Sequence, residues 1–463
     1  MDSRRARRIG AALLGCVAIF ACGSDEAEVE SAPGPPGATA DRPNVVLLVV
    51  DTLRADKLGA YGFELDTSPE LDALAAQGVR FEYAFAPSSW TRPSVGSLIT
   101  GRYPRSLGLY REENEILPPA ATTLAEILSD NGYATFGMTA NPNLNSIFNF
   151  HEGFDEYVDS HVLFSWMKPK DEAQDLSRRP VFSAREVFRA AADFAERNPR
   201  APVYLQLDIM ETHEYARPNH ALTRREFRRL FPDARNELYL RAVRQVSHDI
   251  GEFVALLSSK PGWEHTLYAI VSDHGEGLDD HPDVAYSINH GWLLYESNLH
   301  VPLILYHPTW RPARSLVERR VRLIDLLPTL LDFLSLPMPA EMEGVSLLPL
   351  FAERDGDVAL PEFMIAETDF QQTGKIAVYG PNWKFIRSST PHPGSSPLEL
   401  QPYGFPENGT KTNRRARRPA VARALQARIV GWERSHPKAP PTPVIGDLSP
   451  EEREQLESIG YVP

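Results

Sequence analysis

Seven residues, NVVLLVV at positions 44–50, restrict the fold of this chain more than any other stretch. The run has no alternation of polar and apolar residues, so it does not suit a strand with one wet face. It suits a strand buried on both sides. Strand-like and helical stretches alternate after it. Ser68-Pro69 gives the N-cap and first-turn signal of a helix ending near Gly78. Thr122 to Asn131 predicts an amphipathic helix closed by Gly132, and Ala134 to Ala140 predicts the next strand. Ser183 to Asn198 reads as helix, Val203 to Met210 as strand, and Arg224 to Ser258 as largely helical. Thr266 to Ser272 and Val301 to Tyr306 are further apolar strands, followed by a helix over Leu323 to Leu336. The alternation predicts an α/β fold, a mostly parallel central sheet flanked by helices. In such sheets ligands sit beyond the carboxyl ends of the strands, and Asp51 and Asp273 each follow directly on a buried strand.

A chain of 463 residues buries a large core, and one α/β domain with a smaller partner is expected. The C-terminal hundred residues differ in texture: Pro-rich turns separate short β-like pieces such as Lys375 to Tyr379 and Trp383 to Ile386. The expected division is a catalytic domain over 43–355 and a smaller C-terminal sheet subdomain with a tail over 356–463. A net charge of −14 argues against a general nucleic-acid binder, which needs a basic face to displace counterions. The basic run 411–428 reads as a solvated helix face, with attraction of an anionic substrate as the alternative.

Both cysteines, Cys16 and Cys22, lie at the N-terminus, so the rest of the chain has neither disulfides nor cysteine-based chemistry. Arg4, Arg5, Arg7 and Arg8 precede a short apolar stretch, Ile9 to Ala21, which is a signal-peptide pattern. Ile19-Phe20-Ala21-Cys22 resembles a bacterial lipoprotein cleavage box. Cys22 is the expected lipid-bearing residue, and Leu13-Leu14-Gly15-Cys16 is a competing box. The acidic, Pro/Gly-rich residues 23–42 read as a flexible spacer. The expected location is the bacterial cell envelope, with the chain exported and tied to the membrane through its lipid.

Four stretches carry candidate chemistry. Asp51 emerges at a strand end in VDTLRAD. In SSWTRPSVGSLITGR (88–102), Pro93 suits the first position of a helix, which puts Thr91 just before its N-terminus. Free N–H groups and the dipole there favour an anion and a deprotonating hydroxyl. A threonine hydroxyl needs a metal or base to activate it. In Ser272-Asp273-His274-Gly275-Glu276, adjacent oxygen and nitrogen ligands sit on a turn that Gly275 is expected to let bend sharply. The fourth set is His213 in METHEY, and His290-Gly291-Trp292 ahead of Leu294-Tyr295-Glu296.

Together these pieces resemble the sulfatase family of the alkaline phosphatase superfamily over most of residues 43–351. The Thr-x-Pro-Ser block ending in Leu98-Ile99-Thr100-Gly101-Arg102 is similar to the family's nucleophile signature. Ser272 to Glu276 looks like its second metal motif, and the downstream blocks are His290-Gly291 with Leu294-Tyr295-Glu296, Val301-Pro302-Leu303, Asp325 to Leu330, Gly344 to Leu350, and Leu448 to Glu452. The resemblance implies that Asp51, Asp273 and His274 bind one divalent metal, and that Thr91 completes the sphere and is the nucleophile. It implies that His213 and His290 contact the substrate oxyanion or protonate the leaving group, with Asn141 and Arg102 as substrate-binding candidates.

Departures from the family pattern shape the function. Threonine cannot become the formylglycine made from the family's Cys or Ser. Val95 stands where an arginine is usual, Thr52 replaces a second aspartate, and the Gly-Lys-x-His block is absent, leaving Asn141. Mixed nitrogen and oxygen ligation favours Mn2+ or Zn2+ over Ca2+ or Mg2+. A second metal would draw on Asp208, Glu211, His213 and His290, whose spacing does not match. The expected activity is hydrolysis of a small, lipid-borne or glycan-borne phosphoester. The alternatives are sulfate-ester hydrolysis without formylglycine, or a binding protein that has lost turnover.

Overall fold

The computed structural model describes residues 42–111, 115–160, 183–199, 202–216, 222–352, 358–402 and 413–443, with Pro450, Arg453 and Leu456 beyond them. The leader, both cysteines, the spacer up to residue 41 and nearly all of the Leu448–Glu452 motif lie outside the described residues. In chain order the strands are β1 (Asn44–Val50), β2 (Val79–Phe85), β3 (Glu115–Ile116), β4 (Ala134–Thr139), β5 (Glu156–Val158), β6 (Val203–Ile209) and β7 (Thr266–Val271). They continue with β8 (His300–Val301), β9 (Leu303–Tyr306), β10 (Leu316–Arg322), β11 (Met364–Thr368), β12 (Lys375–Tyr379), β13 (Trp383–Ser388), β14 (Leu398–Pro402) and β15 (Thr442–Pro443).

The main sheet runs β10-β2-β9-β7-β1-β6-β4-β5, with β8 against β2. β1 lies at its middle, parallel to β6 and β7. Its residues alternate between two cores: Val45, Leu47 and Val49 join one, Val46, Leu48 and Val50 the other. Helices on both faces leave this strand no wet side, which is why its sequence does not alternate. One face carries the helices α2 (Thr91–Thr100), Leu124–Asp130 and Leu326–Phe333; the other carries α1 (Pro69–Gln77), Ala184–Arg197 and Glu237–Ser258. The mixed α/β architecture with its mostly parallel central sheet is the expected one. β11 to β14 add a small antiparallel sheet.

Three local expectations change. Val301 to Tyr306 is not one strand: Pro302, which has no N–H to give a ladder, separates β8 from β9, and both pair antiparallel to their neighbours. The helical run from Arg224 breaks at Pro232, giving Arg224–Leu230 and then Glu237–Ser258, which starts after Asn236 in the left-handed region. The helix before Gly132 begins at Leu124, because Thr123 and Glu126 form a reciprocal capping box.

Candidate active site

Register alone brings the two aspartates together. Val49 of β1 pairs with Val271 of β7, so Asp51 and Asp273, each two residues further on, leave the sheet on one rung. α2 supplies the third wall. Its first residue is Thr91, with Trp90 as an N-cap that offers no side-chain hydrogen bond. The expectation that Pro93 opens the helix is corrected: Pro93 is its third residue, where its missing N–H is still not needed. Thr91 stays at the helix's positive end. The Ser94 hydroxyl donates to the Asp273 carbonyl at 2.6 Å and fastens the helix to the turn.

At the centre lies His274 Nε2, 3.3 Å from Thr91 Oγ1, 3.3 Å from Asp273 Oδ2 and 3.6 Å from Asp51 Oδ1. His274 Nδ1 lies 2.9 Å from the Gly275 carbonyl, so it carries the proton and leaves the Nε2 lone pair directed inward. Burial, against the pull of Asp273, brings the His274 pKa down to about 4, so the ring is neutral. Burial raises Asp51 to about 6, and burial with the Asp51 charge raises Asp273 to about 7. Asp51 Oδ1 and Asp273 Oδ2 have no hydrogen-bond partner. One ligand atom from each of Asp51, Asp273 and His274 falls within 4.8 Å of the others. Orphaned buried oxygens around a neutral imidazole with an inward lone pair are the donor set of a divalent cation, so the residues present fit the metal.

Asn141 is drawn into this cluster. Its amide nitrogen donates to Asp51 Oδ2 at 2.5 Å and to Thr91 Oγ1 at 3.2 Å, while its oxygen accepts from the Asn143 backbone at 2.8 Å. Asn143 in turn accepts from buried Arg92, which packs on the Phe148 ring. The amide is thus locked between a metal-ligand candidate and the hydroxyl.

His290 is buried with its ring 4.6 Å from His274 and 5.0 Å from His213, and its Nδ1 is held by Glu276 Oε2 at 3.1 Å. Burial pulls His213 down, but Asp51 and Glu214 raise it further, to about 9. Gly291, at φ 90°, seats this loop: its N–H donates to Ser89, its carbonyl accepts from Ser89 and Thr368, and a Cβ there would meet the Phe370 ring at 2.8 Å.

Arg102 is not at the site. It follows Gly101, which closes α2 in the left-handed region, and donates to the Ser106 carbonyl. Ten helical residues separate it from the Thr91 end, roughly 15 Å at 1.5 Å per residue. Glu211 also turns away, accepting from the Ala184 N–H at the start of Ala184–Arg197. Gly275 has no positive φ; it is small because the Ser297 carbonyl would lie 2.0 Å from a Cβ. Thr52, by contrast, is β-branched at φ 61°, and its hydroxyl donates to the Asp51 carbonyl rather than into the site.

Two groups escaped notice in the sequence. Buried Arg54 grips Asp56 through two bonds, along with Asp280 and the Glu276 carbonyl, and so fixes the turn that carries Glu276. Tyr239 donates to the Thr52 carbonyl and accepts from the Arg54 N–H, which holds the strained residue. Arg54 lies within VDTLRAD, but nothing in that stretch marks the distant turn it grips, and Tyr239 stands in a helix without a motif.

Fold and site together define an α/β scaffold whose acidic strand ends, histidine and helix N-terminal hydroxyl converge on one point. Residues 43–336 match the family described as Sulfatase, and the chain belongs to the sulfatase family. The arylsulfatase of Clostridium perfringens is 24% identical over 386 residues, covering 68% of this chain and 79% of that one. Human arylsulfatase A is 28% identical over 364 residues, covering 68% of each. The crystal structure of the phosphonate monoester hydrolase of Agrobacterium radiobacter shares the fold, with a TM-score of 0.66 at 20% identity over 85% of this chain and 96% of that one.

Proposed function

We propose that the chain is a metal-dependent ester hydrolase in which Thr91 is the nucleophile and the substrate is a phosphoester. The carrying observation is the Thr91 hydroxyl, 3.3 Å from His274 Nε2 and 3.2 Å from the Asn141 amide at the N-terminus of α2. A threonine has no route to formylglycine, and the fold is shared with a phosphonate monoester hydrolase as well as with sulfatases. Asp51, Asp273, His274 and Thr91 would hold a divalent cation, Mn2+ or Zn2+ by its mixed donors. When bound, the cation supplies charge to stabilise the phosphoryl oxygens and to acidify the hydroxyl.

The rest falls to the chain's own residues. Asn141 and the first turn of α2 fix the Thr91 oxygen for in-line attack. Thr91 Oγ gives its proton to solvent and bonds to phosphorus as the bond to the leaving oxygen breaks. His213, whose proton the Glu214 carboxylate helps to hold, gives that proton to the leaving oxygen. His290, steadied by Glu276, faces the transferred group. Water then attacks phosphorus as the bond to Thr91 Oγ breaks, one proton of the water passes to that oxygen to restore the hydroxyl, phosphate or its monoester leaves, and His213 regains a proton from solvent.

Replacing Thr91 by Ala should lower turnover of a phosphoester by roughly a thousandfold or more with the fold intact, and Thr91→Ser should keep most of it. A folded, active Thr91→Ala enzyme would remove Thr91 from the mechanism. We further propose that the chain is exported and lipid-anchored through Cys22 at the periplasmic face of the outer membrane or the cell surface. The support is its arginine-led apolar leader and cleavage box. Mass spectrometry of the mature protein should find a lipidated Cys22 as the first residue; an unmodified or different N-terminus would contradict it.

A further inference from the structure

Asp208 is a lone acid in the apolar strand VYLQLDI, one residue before β6 ends. Register fixes where it points. It pairs with Val49 of β1 and Thr139 of β4, so its side chain leaves the sheet on the Val49 face, which is also the face of Asp51 and Asp273. It therefore lies one side-chain repeat below both, roughly 6–7 Å along the strands. The space it faces is lined also by Asp51, Thr91, Val95, Asn141 and Asp273, so it is the floor of the candidate metal site.

The floor is electrostatically unbalanced. Asp208 is 3% exposed and neither of its carboxylate oxygens has a hydrogen-bond partner. Gln206, two residues back on the same strand face, eases the carboxylate, but burial and the Asp273 and Asp51 charges outweigh it. A buried carboxyl without a donor is costly, and one beneath two other acids more so. Asp51, Asp208 and Asp273 together hold four oxygens without a hydrogen-bond partner. Among the described residues, no arginine or lysine lines this floor. A divalent cation in the cluster would offset the three acids, and the fold keeps them together where repulsion alone would select against the lowest one. The other place for a further carboxylate, position 52, is a threonine whose hydroxyl is spent on the Asp51 carbonyl at 2.7 Å.

We propose that Asp208 is the third acidic group of the metal site, a floor carboxylate that supplies the charge absent at Thr52 and tightens divalent-cation binding. This rests on the metal-dependent reading above. Asp208 acts on the cation's affinity from below and is a positioning residue rather than a catalytic one.

The test is calorimetric titration of the metal-stripped full chain with Mn2+ and Zn2+, paired with melting temperatures with and without metal. Wild type is compared with Asp208→Asn, Asp208→Ser and Asp51→Asn. Asp208→Asn should weaken the Kd for Mn2+ roughly tenfold to a hundredfold, as loss of a supporting group around a metal does. It should also raise the melting temperature of the metal-free protein, by relieving the crowding of acids, and shrink the rise that metal produces. Asp208→Ser should weaken metal binding likewise, which separates lost charge from new contacts of the amide. If Asp208→Asn binds metal as tightly as wild type while Asp51→Asn does not, the proposal falls and the metal site stands. Variants that melt lower with and without metal at unchanged Kd would assign Asp208 a purely structural role and overturn it. A wild-type chain that takes up neither cation would remove both readings together.

Discussion

His213 sits under opposed forces: burial disfavours its imidazolium, whereas Asp51 and the Glu214 carboxylate 3.4 Å away favour it, and the balance lies near a pKa of about 9. A pKa raised above the ordinary histidine value means that the proton is held at neutral pH and lost as pH rises through about 9. If His213 is the acid for the leaving group, kcat should fall as pH rises through its pKa, which a cation on Asp51 draws below its metal-free position, and His213→Gln should be slow with no such alkaline limb. An unchanged limb in the variant would remove His213 from that role. At this scale the sequence was informative where a motif sat at a strand end. Asp51, Thr91, Asn141, Asp273 and His274 all meet in space, because strand ends and a helix start are places that local sequence can specify. Arg102 was misplaced because motif adjacency ignores that α2 carries its two ends about 15 Å apart. Arg54 and Tyr239 gave no signal, since their roles arise only once distant turns are packed together.

Among the elements, α2 and the loop around Gly291 do the positioning, and the small sheet braces that loop. Thr368 of β11 donates to the Gly291 carbonyl, and Lys375 of β12 donates to the Trp292 carbonyl at 2.7 Å. The firmest tie is Lys384 of β13, whose ammonium is 3.1 Å from Glu296, with the two side chains 1% and 3% exposed. Removing one partner of a buried pair strands the other charge. Lys384→Ala should cost about 3–5 kcal/mol in denaturant unfolding, and Lys384→Met with Glu296→Gln should recover much of that loss. A loss below about 1 kcal/mol would mean that water reaches the pair. Buried apolar strands such as β1 and β7 were readable as uninterrupted runs. β10 was not, since its sequence LVERRVR is half exposed at the sheet edge and carries three arginines. β9 was readable as a strand but not as antiparallel, because direction is set by pairing partners far along the chain.

At the scale of the whole molecule, the sheet brings residues more than 200 positions apart to one rung, and the family scaffold is thereby kept. What differs is the chemistry at its centre: a threonine where formylglycine would stand, a valine for an arginine, and an amide in place of the lysine–histidine pair. Each change removes positive charge or an aldehyde-derived diol, and on the proposed reading a cation, His213 and His290 are what meets the anion. The fold class and family were legible from the order of motifs along the chain. Substrate preference was not, because it depends on pocket walls from loops with no repeating pattern. The most direct test is turnover of matched p-nitrophenyl esters by the purified full chain, using the sulfate, the phosphate monoester, a phosphodiester and a phosphonate. Each is run with Mn2+, Zn2+, Ca2+ or EDTA, beside Thr91→Ala. The account predicts metal-dependent cleavage of phosphorus esters that EDTA and Thr91→Ala both abolish. Cleavage of the sulfate in preference to every phosphorus ester, or turnover that survives Thr91→Ala, would contradict it.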